Sequence, residues 1–476
     1  MNSVEPNRIL IAGGGPAGLT AAYELCRRGA LPLVFEQDRT VGGISRTAVF
    51  RGYRIDIGGH RFFSREPRVN RIWEEMLRER FLRVRRLSRI YYNGRFFYYP
   101  LRLGNVVRGL GVWNSFLIAM SFLRSLLFPH AREDNLEEWV SNRFGRRLYA
   151  TFFKTYTEKV WGIPCTSIRA EWTAQRIQGL SLRTAVLNAV FGNQKKRIKT
   201  LIDEFRYPEL GPGMMWECFR DHIERHGGAV HTGHEVRKVR RAGDRVTAFV
   251  VAGPDGVEQE FEGTHFLASM PVAEMIARIE PQPPEEVLRA ATGLRYRDFI
   301  TVCLIIDHPS LFPDNWIYIH SPEVRMGRLQ NFKNWSRHMI PDETKTSVGV
   351  EYFVNENDDL WQMPDEQLVA FASRELAGVG LTRGARIEAG VVYRQRKAYP
   401  VYDETYRGRL AVIAEFLACL KNLQMIGRNG LHKYNNQDHS MMTALLAVEN
   451  IYGASHDLWS YHSDQSYHEE PVAEKK

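Results

Sequence analysis

Residues 9–18 read ILIAGGGPAG. An apolar run, Ile9–Ala12, leads into a glycine turn, then a helical stretch, Leu19–Arg28, and a second apolar run, Leu33–Glu36. Strand, turn, helix and strand make a complete βαβ unit. Within it Gly13, Gly15 and Gly18 form G-x-G-x-x-G between strand and helix, and Glu36 closes the next strand about twenty residues on. Glycines at these positions let backbone N–H groups approach a pyrophosphate, the helix N-terminus supplies positive potential, and Glu36 can accept from a ribose diol. An acid there disfavours a phosphorylated ribose, which leaves FAD or NAD as the dinucleotide.

Working outward, DRTVGGISRT places Gly42 and Gly43 just beyond the ribose acid, and YRIDIGGHRFF places Asp56, Gly58, Gly59 and His60 after them. An NAD domain does not need this second glycine pair. FAD enzymes of the amine-oxidase and glutathione-reductase type set such a pair against the flavin side, with Arg46 in reach of a phosphate. Near the other end, IGRNGLHKYNNQDHSMM puts Gly427 and Arg428 after a strand and Asn436, Gln437 and Asp438 at a helix start. A helix N-terminus aimed at the flavin pyrimidine would stabilise the negative charge of the reduced ring. Asp438, His439 and Ser440 are adjacent in sequence, which is not triad geometry, and no G-x-S-x-G elbow accompanies them.

The 476 residues, 44% hydrophobic and 12% aromatic, are enough for one large core or two to three smaller ones. No run of about eighteen uncharged apolar residues occurs, so stable membrane insertion is not expected; the longest greasy stretch, Phe116–Phe128, is interrupted by Arg124. A short polar leader, Met1–Arg8, lacks a secretory pattern, and the expected location is the cytoplasm. Five scattered cysteines without C-x-x-C argue against disulfides and against a metal site. The net charge of +9 suits an anionic partner, whether nucleic acid, an acidic membrane or a phosphorylated small molecule; no basic stretch accompanies a nucleic-acid-binding signature, and a solvated surface is the simpler reading of those stretches.

The pattern along the chain predicts an α/β protein: a Rossmann-type, glutathione-reductase-like FAD-binding domain built from residues 1–100, 206–270 and 416–459, a helical insertion over 101–205, an antiparallel-sheet substrate domain over 271–415, and a disordered tail over 460–476. Helices are expected over Asn135–Tyr156, Trp172–Val190 and Gln437–Ile451. Short strands over Ala229–Phe266, Phe299–Ile306, Trp316–His320, Ser347–Phe353 and Ile387–Tyr393 suit an antiparallel sheet.

The landmarks GGGPAGLTAA, DIGGHRFFS, RFFYYPL, YTEKVWGIP, EWTAQRI, FRYPELGPGMMWE, LRYRDF, WIYIHSPE and GRNGLHKYNNQDHS resemble, in order and spacing, the flavin-dependent UDP-galactopyranose mutases, their eukaryotic branch more than the bacterial one. The resemblance implies FAD as cofactor, active when reduced, with NADPH or NADH as candidate reductant. It implies a nucleotide-diphosphate sugar as substrate, whose anomeric carbon is attacked by the flavin and whose ring recloses at a different size. Arg176 and Arg297 would meet the diphosphate and His60 would lie beside the flavin. Tyr99, Arg102, Trp161, Tyr318, Tyr399 and Tyr434 would line the substrate, and Gly59, Val236, Gly427, Arg428, Asn436 and Gln437 the cofactor. Arg102 stands where the eukaryotic enzymes carry glutamine, and Thr157 where they carry asparagine, so base and sugar stay open, as does oligomeric state. The chief alternative is an FAD-dependent oxidoreductase of the protoporphyrinogen oxidase or phytoene desaturase kind.

Overall fold

The computed structural model describes residues 8–99, 101, 103–170 and 204–461. The strand Ile9–Ala12 lies at the centre of a five-stranded parallel sheet in the order Leu423–Met425, His265–Ala268, Ile9–Ala12, Leu33–Glu36, Ala229–Thr232. Successive side chains on a strand point to opposite faces. Ile9 and Ile11 therefore join one core with the helices Pro16–Arg27, Gly213–Arg225 and Gln437–Ile451. Leu10 and Ala12 join a second core with Phe249, Met275 and Ile413. Because both faces are covered, the strand is apolar throughout rather than alternating. Each large side chain so buried contributes about 1.5–3 kcal/mol.

A seven-stranded sheet runs Ile387–Pro400, Tyr296–Ile306, Thr346–Val354, Arg328–Asn331, Trp316–Ile319, Ser88–Tyr92, Arg95–Tyr98. One face, with Ile300, Val302, Val350 and Leu329, packs with Leu368, Ala372 and Leu376 of the helix Asp365–Gly378. The opposite face carries Arg328, Glu351 and Thr301 in one cross-strand row, because Arg328 pairs with Glu351 and Glu351 with Thr301.

The expected antiparallel pattern holds only in part. Ala229–Thr232 and His265–Ala268 pair parallel in the five-stranded sheet, and Trp316–Ile319 pairs parallel with Ser88–Tyr92. Strand type follows from which distant segment lies alongside, and alternation within one segment does not report that. The stretch Asn135–Tyr156 is also not one helix. Leu136–Phe144, whose N-terminus Asn135 caps by accepting the Glu138 N–H at 3.0 Å, ends at Gly145 with φ of 83°. A short helix, Arg146–Tyr149, a π-helical turn over Ala150–Lys154 and the helix Thr155–Trp161 follow. Gly145 is required there because a Cβ would lie 2.8 Å from the Phe122 backbone nitrogen of a crossing helix. Trp172–Val190 falls outside the described residues. Tyr461, expected in the tail, is half-buried, and Lys433 Nζ donates to its carbonyl at 3.1 Å.

Candidate active site

A cavity of about 700 Å³ runs from the first glycine turn to the seven-stranded sheet. At its near end Gly13 takes φ of 105°, which an L side chain resists, and donates its N–H to the Phe35 carbonyl at 2.8 Å. Gly15 opens the helix Pro16–Arg27, and a Cβ on it would touch only Gly43, at 3.8 Å, so the protein leaves that space free. Glu36 accepts the Gly14 N–H at 2.6 Å and the Asp38 N–H at 2.8 Å. Burial pushes its pKa up, and these N–H groups oppose the rise. Arg46 donates to the Gly43 carbonyl at 2.9 Å and to Gln395 Oε1 at 2.7 Å.

In the middle stand Gly58, Gly59 and His60. His60 Nδ1 lies 3.0 Å from the Gly58 carbonyl, which can only accept, so Nδ1 carries the proton and Nε2 is left as an acceptor. Burial, with Arg328 and Arg428 nearby, lowers its pKa to about 3. The ring is neutral at pH 7. At the far end Gly427 takes φ of 76° and donates to Thr443 Oγ1 at 2.9 Å, and the helix Gln437–Ile451 starts on the cavity wall with Asn436 as its N-cap. Arg428 is spent on structure: its guanidinium donates to the Ala398 carbonyl at 2.7 Å and the Asn435 carbonyl at 2.9 Å. It also covers the Tyr434 ring at 4.1 Å.

The remaining wall is cationic and phenolic. Tyr399 and Tyr434 stack at 5.5 Å, and Trp161 packs 6.0 Å from Tyr434. Burial raises the Tyr399 pKa to about 12, so the phenol keeps its proton. Arg328 donates through Nε to the buried Glu351, whose other oxygen accepts from Gln330. Its two Nη groups have no hydrogen-bond partner among the described residues.

Of the residues singled out from sequence, Gly13, Gly15, Glu36, Gly43, Arg46 and Val236 line the near end. Gly59, His60, Tyr399, Gly427, Arg428, Tyr434, Asn436 and Gln437 line the rest. Gly18 lies beneath the turn, where a Cβ would overlap the Gly13 carbonyl oxygen. Tyr99, Trp161 and Tyr318 do not line the cavity, and Tyr99 lies edge-on to Tyr318 at 5.2 Å. Arg102 and Arg176 fall outside the described residues. Arg297 is not on the cavity: it is buried beneath Gly162, donating to the Phe353 carbonyl at 2.7 Å and facing Asp358 at 3.5 Å. Arg328 lines the cavity instead. Its signal was present in the sequence as two polar side chains, Arg328 and Gln330, on the same face of a short strand, RLQN.

This combination of a glycine-turn dinucleotide cradle on a parallel sheet with a second sheet over the cavity defines the class. The chain belongs to the flavin-containing amine oxidoreductase family, whose sequence model matches residues 16–393. Among solved structures it is similar to a reduced UDP-galactopyranose mutase, with 20% identity, 94% of each chain covered and a TM-score of 0.82. It is also similar to a proposed protoporphyrinogen oxidase from Exiguobacterium sp. 255-15, with 18% identity, 95% of this chain and 99% of the other covered, and a TM-score of 0.71. Over 81 residues it is 36% identical to protoporphyrinogen oxidase 2, chloroplastic/mitochondrial, of Arabidopsis thaliana, a stretch that is 17% of this chain and 16% of that protein.

The residues present fit the FAD that this family carries. The space over Gly15 and Gly43 is open, and Glu36 has lone pairs to spare. Asn435 Nδ2 and Gln437 Oε1 are buried on the wall with no hydrogen-bond partner among the described residues, as expected of groups that meet a polar ring edge.

Proposed function

We propose that the protein is an FAD-dependent enzyme that rearranges the ring of a nucleoside-diphosphate sugar, active with reduced flavin and using NADPH or NADH as reductant. Arg328 carries the reading: a guanidinium on the cavity wall with both Nη groups open to a ligand is suited to a diphosphate and has no task in binding an apolar substrate. Gly13, Gly15, Glu36, Gly43 and Arg46 would hold the adenosine diphosphate part of FAD, and Asn435, Asn436 and Gln437 its ring. When bound and reduced, the flavin supplies an electron-rich nitrogen to the anomeric carbon.

This chain's residues do the rest. Arg328 stabilises the charge that develops on the departing diphosphate, and the hydroxyls of Tyr399 and Tyr434 donate to the same oxygens. Neutral His60 accepts a hydrogen bond from a hydroxyl at Nε2. Glu351 fixes the Arg328 fork through Nε, so that its Nη edge faces the substrate already oriented. The test is product formed per flavin after anaerobic dithionite reduction, with UDP-, GDP- and TDP-sugars. Many turnovers without reductant consumption are expected. The family and the Arabidopsis match favour a second reading, an oxidoreductase; at most one turnover per flavin, with steady oxygen consumption under air, would establish that reading instead.

A further inference from the structure

The helix Val112–Leu127 turns one face into the protein and another to solvent. Inward, Ile118 joins the cluster that contains Trp139 and Trp161, and the Phe122 backbone crosses Gly145. Outward, Trp113, Phe116, Met120, Leu123 and Leu127 follow one another at spacings of three and four residues, with exposures of 70%, 51%, 48%, 49% and 74%. Such spacing makes one continuous stripe. Single exposed apolar residues are ordinary, whereas a contiguous stripe of large ones marks a surface that something covers. The preceding helix, Leu103–Leu110, meets this one at 119° across Gly111, so the pair is shaped to lie along a surface.

Along the chain the charge flanking the stripe is basic. Between Glu79 and Glu133 the sequence contains no acidic residue, while Arg108, Arg124 and Arg132 are exposed. Exposed Arg146 and Arg147 adjoin the same helix, the Arg147 N–H donating to Ser121 Oγ at 3.1 Å. Glu133, the first acid after the stripe, is already paired with Arg143 at 2.7 Å.

We propose that this face docks the protein onto a bilayer with anionic headgroups, the stripe entering the boundary between headgroups and acyl chains while Arg108, Arg124 and Arg132 meet lipid phosphates. A second copy fits less well, because a two-fold contact sets a surface against itself and would bring these arginines together. An anionic membrane complements both the apolar and the basic part.

The test is co-sedimentation of the full-length, flavin-loaded protein with vesicles of phosphatidylcholine mixed with phosphatidylglycerol, beside vesicles of phosphatidylcholine alone. The parent binds the mixed vesicles more tightly than the neutral ones, and salt weakens the difference. Trp113→Gln/Phe116→Gln/Leu127→Gln weakens binding by more than about tenfold, with flavin content and thermal midpoint retained. Arg124→Gln/Arg132→Gln removes the preference for phosphatidylglycerol. A monomer that sediments with neither vesicle overturns the proposal, as does a dimer that the triple variant dissociates without any vesicle binding. Equal binding to both vesicles, unchanged by the arginine variant, overturns the anionic part.

Discussion

Arg297 Nη2 donates to the backbone carbonyl of Phe353 at 2.7 Å, tying the strand Tyr296–Ile306 to the end of its neighbour Thr346–Val354. The same guanidinium reaches the Lys159 carbonyl at 3.3 Å and the Asp358 carboxylate at 3.5 Å, joining the helix Thr155–Trp161 to the sheet.

Arg297→Ala is therefore expected to lower stability by roughly 2 kcal/mol, the scale of losing a charged donor to buried carbonyls. Its effect on kcat/KM of the folded enzyme should stay within about threefold. Denaturant midpoints and initial rates on the same samples check both. A variant of unchanged stability with badly impaired turnover would return Arg297 to the substrate.

Arg328 should behave in the opposite way. Replacing it alone would leave Glu351 buried and unpaired, a structural penalty of about 3–5 kcal/mol, so the informative comparison is Arg328→Gln/Glu351→Gln against Glu351→Gln. With the Glu351 carboxylate removed from both, loss of the guanidinium should reduce kcat/KM by about 10²–10³, the cost of one lost donor to a developing anion. Steady-state kinetics at subsaturating substrate measure it.

His60 has a folded pKa of about 3, depressed by burial and by the neighbouring Arg328 and Arg428, against about 6.5 in an unfolded chain. Only the unfolded state gains its proton as pH falls from about 6.5 towards 3. Its contribution to stability is therefore full above that window and is lost through it. His60→Asn removes this linkage, so the gap in unfolding free energy between parent and variant should narrow from pH 7 to pH 4.5. Activity of the parent should show no ionisation of His60 between pH 5 and 8.

Gly15 and Gly18 separate cofactor space from protein space. Gly15→Ala has room within the protein, meeting only Gly43 at 3.8 Å, and should keep the apoprotein's thermal midpoint while losing FAD affinity. Gly18→Ala collides with the Gly13 carbonyl and should lose both. Flavin absorbance after gel filtration, with the melting temperature of flavin-stripped protein, tells the two apart. Equal flavin retention in Gly15→Ala and parent would place the cofactor elsewhere.

Sequence alone determined the βαβ unit, the glycine turn and Glu36 at the strand end, because each is a local requirement: a positive φ at Gly13, no room for a side chain at Gly18, an acid at a strand end. The glycine-rich segments at Gly43, Gly59 and Gly427 were legible for the same reason. Tertiary structure alone decided which arginine faces the cavity. The register slips between Arg297 and Phe299 where Tyr296–Ile306 pairs with Ile387–Pro400, and such a bulge re-aims the adjoining side chains without any mark in the strand's own alternation. Arg328, two strands away in the same sheet, is directed by its cross-strand pairing with Glu351, which lies 23 residues further along the chain. Helix breaks at Gly145 and parallel pairing at Ala229–Thr232 likewise depend on which distant segment passes close by. Local chemistry can be read from neighbours in sequence; the facing of a side chain depends on neighbours in space.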